Sequence, residues 1–324
     1  MIKYFQSIQM LRFVAATFVI FAHMGIGIHS YKGMDILFVV SGFIIYWTSR
    51  AKIGAGSSAA IRFMKRRVVR IFTFYWLLFF SLIGLGIYTV QFDGRFVASV
   101  FLLPGHKSFL EVTWSLSVEL YFYTLFAVTI LLLSKKTAQK IAILVWIGTF
   151  LLLGLEYTNY PIKGTPLNFF LGQNIWLILS GVLTGILYEK SLVIEARKRL
   201  YYSAFCLTIG LFLFLIIVDY YSNRSFACVG IGSSLLLFGI LSIEDLKRPK
   251  FPTLLMRLGN ASYVAYLIHI PIIHYFSSSP ALKTTNQFLI IIGIWLLSLV
   301  LYQFLEKPLV ERLNRLIHVA QAPK

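Results

Sequence analysis

IQMLRFVAATFVIFAHM, Ile8 to Met24, reads as a membrane-spanning helix, yet it carries Arg12 and His23. Ionisable side chains at membrane depth cost about 2.5–3.5 kcal/mol on insertion scales. Eleven positions separate the pair. At about 100° per residue this is three turns plus about 20°, so both side chains share one helix face, about 16 Å apart along the axis. Arg12 is expected about one turn inside the cytoplasmic boundary and His23 in the outer third. Together they define a polar track across most of the membrane, and intramembrane ionisable residues are functional candidates by default.

The rest of the chain agrees with that solvent. Its 324 residues are 58% hydrophobic and only 13% charged, with a mean hydropathy of +0.80. A soluble domain carries about 25% charged residues. A water-soluble core cannot hide this much apolar surface, so most of the chain is expected in lipid. Ten segments are long and apolar enough to span: about 8–28, 33–49, 70–90, 113–133, 140–157, 167–188, 200–220, 225–243, 260–277 and 285–304. The expected fold is all-α, a polytopic integral membrane protein with about ten transmembrane helices. Residues 95–103 are apolar but too short to cross. No hydrophilic stretch is long enough for another domain, so one transmembrane domain over 1–324 is expected, with no appended soluble domain.

Basic residues set the orientation. With the N-terminus inside, the inner segments hold 23 of the 30 Lys and Arg and the outer segments six, Lys32 among them. The net charge of +18 thus marks the cytoplasmic face. The basic residues are dispersed around loops, which argues against a nucleic-acid partner. Lys3 before an apolar run resembles a secretory leader. The run is longer than a usual leader, contains Arg12 and lacks a clear small-x-small cleavage site. Cys206 and Cys228 fall in different segments and give neither a disulfide framework nor a metal spacing. They are expected to be free, buried thiols, and no metal is expected.

Other segments add polar groups. GMDILFVVSGFII, Gly33 to Ile45, brings Asp35 to the outer end of the second span, with Ser41 and Gly42 as small residues for close helix packing. TWSLSVELYFY, Thr113 to Tyr123, places Glu119 six residues in from the outer side. His23 and Glu119 are thus expected at one depth, where a carboxylate and an imidazole form an acid/base pair. SYVAYLIHIPIIHYF, Ser262 to Phe276, adds His269, His274 and a bend at Pro271, with structural roles expected for the histidines. RFMKRRVVRIFTFYW, Arg62 to Trp76, holds Arg62, Lys65, Arg66, Arg67 and Arg70. They read either as a positive-inside anchor or as a phosphate dock, in which Arg67 and Arg70 face one way.

These blocks resemble those of the acyltransferase family 3 membrane proteins, multi-span O-acyltransferases that modify glycans. Arg12 and His23 are similar to the family's Arg-ten-residues-His motif, GMDILFVVSG to its span-two block, and RRVVRIF to its R-x-x-R-I block. WSLSVE, AYLIHIP and EKPLVER, Glu306 to Arg312, resemble three further blocks, all in the family's order. IQMLRFVAA looks most like the exopolysaccharide-acetylating branch. Thr73 stands where many members carry proline, and Leu-Tyr-Phe-Tyr follows Glu119 where many have a second acid. A mechanism needing two adjacent carboxylates is therefore not expected.

The resemblance implies an O-acetyltransferase of the bacterial inner membrane, with both termini cytoplasmic. Acetyl-CoA, or another acyl-CoA, would be the donor, as a co-substrate. The acceptor would be a glycan or lipid-linked saccharide. In this reading Arg67, Arg70 and Arg66 hold the donor, and its pantetheine arm passes Arg12. His23 acts as general base, with Glu119 or Asp35 orienting it, and both direct transfer and a covalent acyl-histidine intermediate fit these residues. The competing reading is a transporter or flippase for a lipid-linked glycan, using the same track without chemistry.

Overall fold

A computed structural model of the chain describes residues 5–27, 32–104, 108–156, 173–215, 224–278 and 286–319. Among them there is no strand. The helices are α1 (Gln6–His23), α2 (Gly33–Ser49), α3 (Ser57–Gly84), α4 (Gly94–Phe101), α5 (Trp114–Leu132), α6 (Lys135–Glu156), α7 (Gln173–Ser191), α8 (Ala196–Leu215), α9 (Arg224–Lys247), α10 (Thr253–Ser278), α11 (Gln287–Leu301) and α12 (Lys307–Val319). A helix falls on each of the ten expected spans, and α4 falls on the short apolar stretch. Six described segments are long and apolar enough to cross a membrane: Gly33–Lys52, Ser57–Gly84, Glu111–Leu132, Ala196–Leu215, Cys228–Lys247 and Gln287–Ile317. They bear out an all-α polytopic membrane protein, without fixing the number of crossings at ten.

The chain folds as two compact units, Met1–Ile53 with Ser134–Asn260, and Gly54–Leu133 with Ala261–Lys324. In the first unit, α2 and α7 approach at a pair of glycines. A Cβ on Gly42 would strike the Ile178 carbonyl, and one on Gly181 would strike the Val39 carbonyl. Small residues of this kind let membrane helices close to backbone contact, where dispersion replaces the missing hydrophobic drive.

The helix that carries Arg12 and His23 is pinned at its start. No side chain of its own first turn caps it. Instead the Glu244 carboxylate, 9% exposed, accepts from the backbone N–H of Gln6 at 2.7 Å, from that of Ser7 at 3.1 Å and from the Ser7 hydroxyl. A carboxylate there satisfies orphan donors and sits at the positive end of the helix dipole. Phe5, just ahead, lies edge-on to Phe43, Trp47 and Tyr188 with ring centroids 5.5–5.8 Å away. Gly259 abuts the Gln9 backbone, leaving no room for a Cβ. Glu244→Ala is expected to cost about 2 kcal/mol. A thermal unfolding scan of purified protein would register it as a lowered Tm, and an unmoved Tm would deny the cap its role.

Nearby, Glu189 accepts from Lys135 Nζ at 2.8 Å, from the Tyr46 hydroxyl at 2.6 Å and from Arg50 Nε at 3.2 Å. Burial pushes its carboxyl up, but these donors outweigh it and hold the group below the usual glutamate range.

In the second unit α3 begins at Ser57, thirteen residues before the expected start of its span. Charged residues hid the continuation, because Arg62, Lys65 and Arg66 alternate with Ala59, Ala60 and Phe63, which are buried. Gly56, with φ of 79°, marks the true boundary. Thr73, where proline would bend the helix, donates its hydroxyl to the Val69 carbonyl at 2.7 Å, and α3 runs on. The helix α10 likewise continues through Pro271 to Ser278. A π-turn, Tyr302–Glu306, joins α11 to α12.

Candidate active site

His23 is the last residue of α1, and its ring is exposed. Its Nδ1–H donates to the Val19 carbonyl, one turn back on α1, at 2.9 Å. A proton held on Nδ1 leaves the lone pair of the neutral ring on Nε2, the form a general base requires. Arg12 is half-buried on the same helix, with Nη1 3.4 Å from the Gln9 amide oxygen.

Asp35 lies in the first turn of α2 and is half-buried. That turn seats directly on α1, because Gly33 faces the Ala15 carbonyl, the Phe18 Cβ and the Val19 N. A side chain on residue 33 would push the helices apart. Val19 thus meets α2 through its amide and His23 through its carbonyl. The fold brings Arg12, His23 and Asp35 into one unit.

Lys32 was counted from sequence among the outer-loop cations, and the structure corrects this. It is fully buried and donates from Nζ to the Phe214 carbonyl at 2.7 Å, with the Phe214 ring centroid 4.9 Å away. Nothing in the local sequence signals it, since the partner is 182 residues distant.

The other candidates gather in the second unit. The Arg67 guanidinium lies over the rings of Phe63 and Tyr123, each 5.2 Å to centroid. The Tyr123 hydroxyl donates to Glu119 at 3.3 Å, one helical turn back on α5. Arg67, Tyr123 and Glu119 therefore form a continuous chain of contacts. The spacing of Glu119 and Tyr123, four residues on one helix, was the available signal for the tyrosine. Tyr123 is the tenth residue of the 19-residue α5, so the expected donor dock stands beside the middle of α5 rather than in a loop. Tyr266, also buried, shares a 2.7 Å hydrogen bond with Ser115 and donates to the Val112 carbonyl at 2.7 Å. His269 is fully buried, 5.8 Å from the Tyr266 ring.

Arg70 points to a different partner. It forms an ion pair with Glu306, and its guanidinium lies over the Tyr263 ring at 5.0 Å. Glu306 is fully buried, and its second oxygen has no hydrogen-bond donor among the described residues. Arg66 is half-buried on the same helix. Cys206 and Cys228 are free thiols, half-buried rather than fully so. His29 and His106 lie outside the described residues.

The two units divide the expected catalytic pair, His23 belonging to the first and Glu119 to the second. In the first unit an imidazole with its tautomer set is a group suited to moving a proton, and in the second the arginine of an arginine–tyrosine–glutamate chain is suited to binding an anion.

Comparison with known proteins gives the family. The chain is 25% identical over 353 aligned residues to the O-acetyltransferase OatA of Staphylococcus aureus, covering 95% of this chain and 57% of that protein. It is 24% identical over 301 residues to the exopolysaccharide production protein ExoZ of Rhizobium meliloti, covering 86% of this chain and 89% of that one. The chain thus spans little more than half the length of OatA. No solved structure matches. The acyltransferase domain characteristic of family 3 matches residues 5–305, nearly the whole sequence, and the chain belongs to the acyltransferase 3 family.

Proposed function

We propose that this protein is an O-acetyltransferase of the bacterial inner membrane, with both termini cytoplasmic, that carries an acyl group from acyl-CoA to a hydroxyl of a surface polysaccharide or its lipid-linked precursor. The observation that carries this reading is His23, whose Nδ1–H is held by Val19 and whose ring is exposed to a substrate. The likeness to OatA, an O-acetyltransferase, and to ExoZ, an exopolysaccharide production protein, supports the reaction and the acceptor class.

In the proposed step, His23 Nε2 takes the acceptor hydroxyl proton as the oxygen attacks the thioester carbonyl. The new C–O bond forms, the C–S bond breaks, and the CoA thiolate leaves with the proton returned by the imidazolium. Asp35 or Glu119 would stabilise the charged ring, and Arg12 would meet the donor's arm. Arg67, with Arg66 beside it, would hold the donor's phosphates.

The test is release of free CoA thiol from acetyl-CoA by purified protein given a glycan acceptor. A glycan transporter would release none, which would sink the proposal. Arg67→Ala should raise the KM for acetyl-CoA about ten- to hundredfold, the loss of one charge-assisted contact of roughly 1.5–3 kcal/mol. Steady-state kinetics at saturating acceptor would show it, and an unchanged KM would leave Arg67 as a structural stacking residue.

A further inference from the structure

We propose that Lys32 is a positioning residue for His23, acting through the first turn of α2; as a statement about catalysis it rests on the acyl-transfer reading above. The lysine immediately precedes α2 and is wholly removed from solvent. Removing an ammonium from water costs several kcal/mol, and an apolar side chain of similar volume would fill the space without that cost. The site nevertheless takes a cation and uses it. Nζ donates to the Phe214 carbonyl on α8. The Phe214 ring adds a cation–π contact.

Three links then connect this anchor to the base. Lys32 ties the start of α2 to α8. The next residue, Gly33, is seated against the backbone of Ala15 and Val19 with no space between. The Val19 carbonyl accepts the Nδ1 proton of His23. The charge of Lys32 also acts on Asp35, three residues on in the same turn. Releasing the anchor frees the α2 turn to shift on α1, which moves the Val19 carbonyl that holds the imidazole.

The experiment compares full-length parent and Lys32→Met in three measurements. Folded yield is read by gel filtration, and kcat and KM for acetyl-CoA by thiol release. The rate of carbethoxylation of His23 by diethyl pyrocarbonate is read by peptide mass spectrometry. The expected result is folded protein whose kcat falls roughly ten- to hundredfold with KM unchanged, because small misplacements of a catalytic group cost that much. The His23 carbethoxylation rate is expected to move severalfold with it. Lys32→Gln, which keeps an N–H donor within the same pocket, should recover part of both. Should Lys32→Met fail to fold, the smaller Lys32→Ala takes its place with the same expectation. Unchanged kcat per folded molecule together with unchanged His23 reactivity overturns the proposal, whatever happens to yield. Carbethoxylation needs no turnover. A parent without activity whose His23 still responds to Lys32→Met would uphold the positioning and count only against the acyl-transfer reading.

Discussion

On the proposed mechanism, His23→Ala is expected to cut transfer steeply while the protein still folds and its acyl-CoA affinity is unchanged. Loss of a general base typically costs 10²–10⁴-fold in rate, so residual turnover is expected in that range. The geometry separates this from a packing defect. His23 is the terminal residue of α1 and its ring is exposed, so truncation leaves no cavity and removes one hydrogen bond to Val19. The start of the helix, secured by Glu244 and by the aromatic contacts of Phe5, is untouched. Folded yield, acyl-CoA affinity and turnover should be measured together on mutant and parent. Turnover close to the parent's, corrected for yield, would make His23 structural. Glu119→Gln keeps the acceptor for the Tyr123 hydroxyl but removes the charge, and should reduce turnover less than His23→Ala does.

Glu306 and Arg70 should respond in the opposite way, through stability first. Arg70→Ala leaves the fully buried Glu306 carboxylate without its counter-ion, which is expected to cost about 3 kcal/mol or more. The loss exceeds that of an exposed ion pair because the remaining charge is neither solvated nor paired. Replacing both partners, Arg70→Met with Glu306→Met, should restore much of the folded yield, since an apolar pair of similar volume is often neutral or stabilising. Thermal unfolding of the two single variants and the double variant gives the coupling directly. Equal Tm values for Arg70→Ala and parent would return Arg70 to the role of a donor contact. Arg67, whose guanidinium lies over the rings of Phe63 and Tyr123, is the probe of donor affinity.

The division between legible and hidden follows sequence distance. Arg12 and His23 share one helix, so the 3.6-residue period alone placed them on one face. Asp35 and Glu119 were found because acids stand out in apolar runs, and Gly42 because small residues mark close approach. Tyr123 was within reach of the same logic, four residues from Glu119, but an aromatic among aromatics carries no contrast. The start of α3 was misplaced because hydropathy registers Lys65, Arg66 and Arg67 as loop, whereas the apolar stripe through Ala59, Ala60 and Phe63 continues the helix beneath them. Lys32 and Glu244 were out of reach entirely. Each is polar beside a span and reads as solvated, and each is buried by a partner roughly two hundred residues away in the chain. Arg70 and Glu306, separated by 236 positions, belong to the same class.

The π-turn at Tyr302–Glu306 makes the chain's tolerance of a length change depend on where the change falls. A π-turn holds one residue more than the α-helix it interrupts. Deleting a single residue between Tyr302 and Leu305 would let α11 and α12 merge into one regular helix, with Glu306 and α12 kept near their present register. The same deletion within α11 would instead turn everything downstream by about 100° and draw it back by about 1.5 Å. Glu306 would then swing off Arg70, and α12 would offer α3 a different stripe of side chains.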